Sequence, residues 1–228
     1  MSFDKETAPA RRVVALFDFD GTITHFDSFL PFLRSAVGFR RFWGGLLALT
    51  PALVGSMSGR VPNWRLKEYF LTRFLKGLTR ADLVQLSDQF CRKRLPGLLN
   101  PGAMERVRWH RDQGHRLVLL SASPEVYLRP WAIPEGFHEV LATGLDLKDG
   151  MVTGLLQGRN CHGEEKVERA RALLGSLEAY ESHGYGDSRS DRPLLNLMSH
   201  AYFKPFGADS WSVPRFVALL RWGLRLVV

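Results

Sequence analysis

The run VVALFDFDGTITHFD, residues 13–27, closes an apolar stretch with two aspartates, Asp18 and Asp20, a single residue apart. Extended backbone alternates its side chains, so Asp18, Asp20 and Thr22 are expected on one face and Phe17, Phe19 and Gly21 on the other. Two carboxylates about 5 Å apart repel by roughly 3 kcal/mol at an effective dielectric of about 20. A pair kept against that repulsion points to a cation or to a reaction. Alone, the three letters DxD also fit an exposed turn. The apolar run before them and the Gly-Thr after them favour a site.

Such a pair needs a scaffold. Residues 13–17 read as a short buried strand, and from residue 26 to about residue 99 the pattern changes to helical spacing, with Phe29, Leu30, Phe32 and Leu33, then Leu71, Phe74, Leu75 and Leu78. Thr79 followed by Asp82 has the spacing of a helix N-cap with a reciprocal acid. Pro101 opens a further helix that Gly114 stops, and a second buried strand runs from Arg116 to Ser121 and Ser123. Residues 140–156 read as a hairpin turning at Lys148-Asp149-Gly150. A charged helix over 164–174, a weak strand over 182–185 ended by Gly186-Asp187, a helix over 189–198 and a strand over 201–203 complete the pattern. Strands alternating with helices predict an α/β fold: a doubly wound, mostly parallel sheet with a helical insertion after the first strand. Ligands of such sheets bind beyond the carboxyl ends of the strands. Asp18, Ser121 and Asp187 each stand at one.

With 228 residues, the chain has room for one core domain and a sizeable insert. Its formal net charge of +8 at pH 7 fits anionic partners: phosphorylated metabolites, nucleic acid or an anionic membrane surface. Aromatics do not interleave with a basic stripe, so nucleic acid is not expected, and Trp43, Trp64 and Trp109 read as core or interface residues. Two cysteines, Cys91 and Cys161, imply no disulfide framework and a reducing compartment. Cys161-His162 lacks two further ligands at zinc spacing. The polar N-terminal residues read as a frayed arm. Residues 42–59 carry no charge, but their glycines and Pro51 argue against a membrane span, and a buried helical hairpin is expected. The C-terminal run VPRFVALLRWGLRLVV fits either a packed helix or a basic in-plane anchor.

FDFDGTIT, LLSAS, Lys166 and GDSRSD resemble, in order, the four signatures of the haloacid dehalogenase (HAD) phosphatase superfamily, and the insert resembles that of its phosphoserine-phosphatase-type subclass. The resemblance implies a HAD-like core over 1–25 and 100–228, with a helical cap over 26–99. It implies that Asp18 is a nucleophile forming an aspartyl-phosphate and that Asp20 is the acid and base. A Mg2+ ion would be held by Asp18, Asp187 and the backbone carbonyl of Asp20. Ser121 and the Ala122 N–H would bind phosphoryl oxygens, Thr22 would shape the turn at the phosphate, and Lys166 would neutralise charge. Asp191 would hold Lys166 or a metal-bound water. Asp27, with His25 and Ser28, would face the insert where a leaving group sits. Phosphoserine enzymes of this kind place a glutamate soon after the first signature, where this chain has His25, Phe26 and Asp27. The apolar insert, NCHGEEK and the basic C-terminus are instead similar to a bacterial subfamily that includes phosphatidylglycerophosphatase C. The expected substrate is therefore a lipid phosphate such as phosphatidylglycerophosphate, at a cytoplasmic protein with peripheral contact at the inner face of the membrane. Three alternatives stay open: a soluble phosphomonoester (phosphoserine, an amino-alcohol or sugar phosphate), phosphoryl transfer to an alcohol, and a non-catalytic basic binding module.

Overall fold

The computed structural model describes residues 12–207. Its first strand, β1 (Arg12–Asp18), carries an unbroken apolar run, as a strand covered on both faces must. Alternation splits that run between two cores. Ala15 and Phe17 join the larger one with Leu117 and Leu119, whereas Val14 and Leu16 join the smaller one with Val118 and Leu120. β1 lies mid-sheet between β2 (Arg116–Pro124) and β5 (Tyr180–Gly186); β3 (Glu139–Lys148), β4 (Met151–Gln157) and β6 (His200–Phe203) complete the order β4-β3-β2-β1-β5-β6. Every pairing is parallel except that of β3 with β4, whose hairpin turns through Asp149 at φ +52° and Gly150 at φ +77°. This is the doubly wound, mostly parallel α/β architecture expected. Registers place Asp18 opposite Leu120 and Phe17 opposite Tyr185, so Asp18, Ser121 and Asp187 come within about one residue of the same level, while β2 runs on to Pro124.

Between β1 and β2 come α1 (Phe29–Val37), α2 (Phe39–Ala48), α3 (Thr50–Met57), α4 (Asn63–Phe74), α5 (Arg80–Lys93) and α6 (Pro101–Asp112). α5 begins with the Thr79–Asp82 capping box, Asp82 N donating to Thr79 Oγ1 at 3.1 Å and Thr79 N to Asp82 Oδ2 at 3.3 Å. α4 buries Phe70, Leu71 and Phe74 and leans on β4, where Leu156 N donates to Glu68 Oε1 at 3.3 Å. α6 and α7 (Glu125–Ala132) cover the larger core through Val107, Tyr127 and Leu128; α8 (Glu164–Leu174) and the short α9 (Arg192–Leu195) cover the smaller one through Val167 and Leu194.

Three expectations need correction. β1 stops at Asp18, and Phe19–Ile23 form a single wide turn closed by Thr24 N donating to Phe19 O at 3.0 Å, so Asp20 reaches the site from a turn and not by strand alternation. Its cause is Gly21 at φ +84°, a conformation that glycine adopts without strain. Residues 42–59 do form the helical pair α2–α3, but only one side of it is covered: Phe42 is buried and Leu46 and Leu53 pack on the core, whereas Leu47, Val54 and Met57 are 76%, 59% and 83% exposed. The helix expected over 189–198 breaks into a tight turn at Arg189–Asp191 and the four-residue α9. Trp43 packs against the core, one of the two places expected for the tryptophans, and Trp64 and Trp109 stand exposed. The N-terminal arm and the C-terminal apolar run lie outside the described residues.

Candidate active site

The carboxyl ends of β1, β2 and β5 open into a cavity of about 300 Å³. Its floor carries Asp18, Asp20, Ser121, Ser123 and Lys166. Lys166 is supplied by the first turn of α8 and is 2% exposed. Its ammonium donates to Asp18 Oδ1 at 2.5 Å and to Asp191 Oδ1 at 2.6 Å. Burial works against that ammonium, yet the two carboxylates outweigh it and hold its pKa above the ordinary lysine value. Asp191, at the turn after β5, gives its second oxygen to Ser188 N at 2.9 Å, Ser188 Oγ at 2.7 Å and Asp187 N at 3.2 Å. Burial would raise its pKa, but Lys166 and Ser188 bring it down. Asp191 therefore fixes both the lysine and the loop that bears Asp187.

The two aspartates of the opening motif differ in surroundings. Burial pushes the Asp18 carboxyl up to about 8, Lys166 opposing and Asp191 and Asp20 adding to the shift. Asp20 accepts from Ser28 N at 2.6 Å through one oxygen and from Ser123 Oγ at 2.5 Å through the other. Burial, with the nearby Asp27 charge, lifts Asp20 to about 6 against those hydrogen bonds. A carboxyl so raised can hold a proton near neutrality.

Other expected residues are placed as follows. Ser121 is buried beside the floor, its Oγ accepting from Ser123 N at 3.0 Å. Ala122 lines the cavity, and its carbonyl accepts from Lys67. Thr22 is buried with its hydroxyl 3.5 Å from Asp18 Oδ2. Asp27 also lines the cavity while capping α1, its Oδ1 accepting from Phe29 N at 3.0 Å and Leu30 N at 3.3 Å. Ser28 faces Tyr127 OH at 2.9 Å, and His25 is exposed outside the cavity.

Lys67 is the residue that the sequence reading missed. It lies on α4 and is 8% exposed, and its ammonium also donates to Asn160 Oδ1 at 3.1 Å. Burial lowers it to about 8, partly offset by Asp27 and Asp20. A signal was present: positions 67, 70, 71 and 74 form one helical stripe, and a lysine on an otherwise apolar stripe is out of place. Above the floor the cavity is largely apolar, walled by Phe29, Leu30, Phe42, Trp43, Leu46 and Leu53 from the inserted helices, with Arg34 and Asn63 as its polar members.

The acids also fit a metal ion. Asp18, Asp187 and Asp191 each bring an oxygen within 4.8 Å of the others. All-oxygen donors suit a hard cation. Gly21 makes room for this cluster: a Cβ there would fall 2.3 Å from Asp187 Oδ2.

Acids and lysines gathered at the strand ends of a parallel sheet, beneath a helical insertion, mark an α/β enzyme of the Rossmann-like type. The chain belongs to the haloacid dehalogenase-like hydrolase family, whose model matches residues 15–196. It is 35% identical to protein CicA of Caulobacter vibrioides over 196 residues, covering 85% of this chain and 86% of that protein. It is 30% identical to a probable phosphatase of Mycobacterium tuberculosis, across 86% of this chain and 69% of the relative. Among solved structures, a Bordetella pertussis protein of unknown function matches with a TM-score of 0.72 at 26% identity, covering 82% of this chain and 86% of that one. A phosphoserine phosphatase bearing a phospho-aspartyl analogue shares the fold at a TM-score of 0.56 and 19% identity, with 82% and 84% covered.

Proposed function

We propose that this hydrolase is a magnesium-dependent phosphomonoesterase working through a phosphorylated Asp18, and that its substrate is an amphiphile such as a lipid phosphate. One observation carries the reading: a buried floor of acids, serines and lysines lies directly beneath an apolar wall. Phosphoserine phosphatases share the fold, and the family relatives include named phosphatases.

Asp18 and Asp187 are the residues that would hold the ion, together with the backbone carbonyl of Asp20; Asp191 is already committed to Lys166 and Ser188. When bound, Mg2+ would offset the repulsion between a carboxylate nucleophile and an anionic phosphate. In the first displacement an Asp18 oxygen bonds to phosphorus as the bond to the leaving oxygen breaks, and Asp20 gives that oxygen its proton. In the second, Asp20 takes a proton from water while the water oxygen bonds to phosphorus, and the Asp18–phosphorus bond breaks. Lys166 and Ser121 meet the charge that builds on the phosphoryl oxygens. Lys67 supplies a second ammonium from the insert side, and Asp27 and Thr22 shape the approach.

The floor explains how a phosphate is cleaved, and the wall favours an apolar leaving group over a small polar one. A soluble substrate such as phosphoserine is the second reading, supported by Lys67 and Asp27 on the same cavity, which suit a carboxylate and an ammonium. Phosphate release with added magnesium, measured on p-nitrophenyl phosphate, phosphoserine and a micellar lysophosphatidate, tests both. Turnover of the micellar substrate exceeding phosphoserine supports the amphiphile. Turnover of soluble esters alone removes it, and no release from any ester sinks the enzyme reading.

A further inference from the structure

At the opposite end of β5 from Asp187 lies a second group of potential ligands, outside the proposed chemistry. Glu181 and His183 stand two residues apart on β5, and His200 is the register partner of His183 on β6. Alternation and pairing put all three side chains on one face of the sheet, and each brings a ligand atom within 4.8 Å of the others. Glu181 Oε1 lies 3.7 Å from His183 Nε2 and 3.3 Å from His200 Nε2. Bonds of about 2.0–2.2 Å at a tetrahedral metal would set such donors about 3.4 Å apart.

A surface ion pair between Glu181 and His200 would explain those two residues but not His183. That imidazole is 9% exposed, and its Nε2, the atom that faces Glu181, stands too far at 3.7 Å for a normal hydrogen bond. Its ring stacks face to face on His200 at 4.5 Å between centroids, in line with the Tyr185–Tyr202 pair at 4.7 Å, so the sheet register keeps the two imidazoles adjacent, and a turn of the rings would bring their in-plane nitrogens onto one ion.

We propose that Glu181, His183 and His200 form a second metal site, which takes a divalent first-row transition ion, zinc by preference. Two imidazoles and one carboxylate match borderline metals and not magnesium, and three ligands leave a position for water. Counting about 3.3 Å per residue back along β5 from Asp187, the site lies roughly 13–20 Å from the acids of the floor. At that distance the ion takes no part in the chemistry of the floor, and it would tie the four-residue edge strand β6 to β5.

Equilibrium dialysis of the whole protein against zinc, under saturating magnesium, tests this. The expected result is one zinc per chain, retained when Asp18→Asn and Asp187→Asn are combined and weakened by more than about 100-fold by His200→Gln, since losing a ligand costs more than the roughly 10–100-fold of losing a group that only supports one. His200 is half exposed, so its substitution leaves the fold intact, which circular dichroism checks; His183→Gln is the buried counterpart. Zinc should also raise the Tm of the parent and not of His200→Gln. Failure to bind zinc, loss of zinc with the floor acids, or unchanged affinity in His200→Gln would overturn the proposal, whatever the phosphatase assays show.

Discussion

The floor and the wall of the cavity are built on opposite principles. The floor is polar, buried and cross-braced: Lys166 bridges Asp18 and Asp191, Asp191 holds the Asp187 loop, and both oxygens of Asp20 are engaged. Its parts come from β1, β2, α8 and the turn after β5, elements far apart in sequence and locked by the sheet. The wall comes from consecutive short helices, is largely apolar and includes the inner side of the α2–α3 pair, whose outer side is exposed. A braced polar network tolerates little change, because removing one partner leaves a buried charge uncompensated, whereas an apolar lining accepts swaps of similar volume. On the proposed reading, reaction and substrate choice therefore fall to parts with different tolerance.

That contrast can be broken most forcefully at Asp18. Asp18→Asn should lower turnover by about 10⁴-fold or more on every ester while circular dichroism stays unchanged; comparable activity in the variant would reject it as nucleophile. Asp20→Asn should slow release of an alkoxide by about 10²–10⁴-fold and of p-nitrophenolate far less, because the latter needs little protonation. Equal slowing of both would assign Asp20 to metal or structure instead.

Lys67 joins floor and wall, and its expected effect is smaller. Its pKa is depressed to about 8, so the ammonium is present below that pH and lost above it. KM should therefore rise as pH passes through about 8, and Lys67→Met should raise KM by about 10-fold at pH 7, a change near 1.4 kcal/mol, and abolish the rise. The same KM profile in parent and variant would exclude contact with substrate. Smallest of all, Leu47→Glu with Met57→Glu should leave p-nitrophenyl phosphate hydrolysis unchanged and Tm within about 2 °C, since both residues are exposed. Activity on the micellar ester should fall a few-fold. No fall there would separate the hairpin from substrate delivery.

The floor was largely legible because each of its strands announces itself locally. An apolar run ends in Asp18, another in Ser121, and a weaker one in Gly186-Asp187, and parallel pairing then brings those ends level. The Thr79 cap and the turn at Asp149-Gly150 were legible for the same reason: each depends on a few neighbouring residues. Lys67 and Asn160 were not, since they meet Ala122 and each other only through tertiary packing across 55 and 93 residues of sequence. The α2–α3 pair misled the reading because an apolar composition says that a segment prefers cover without saying what covers it.

The close approach of Gly21 to Asp187 has a bearing on how this molecule could change over generations. Position 21 is restricted twice, by a backbone angle of +84° and by an occupied space 2.3 Å from where a side chain would begin. Libraries selected for a new leaving group should come back with glycine there in every survivor, and with variety scattered over the wall. Lineages could thus exchange one metabolite for another many times while this one site kept a permanent blank.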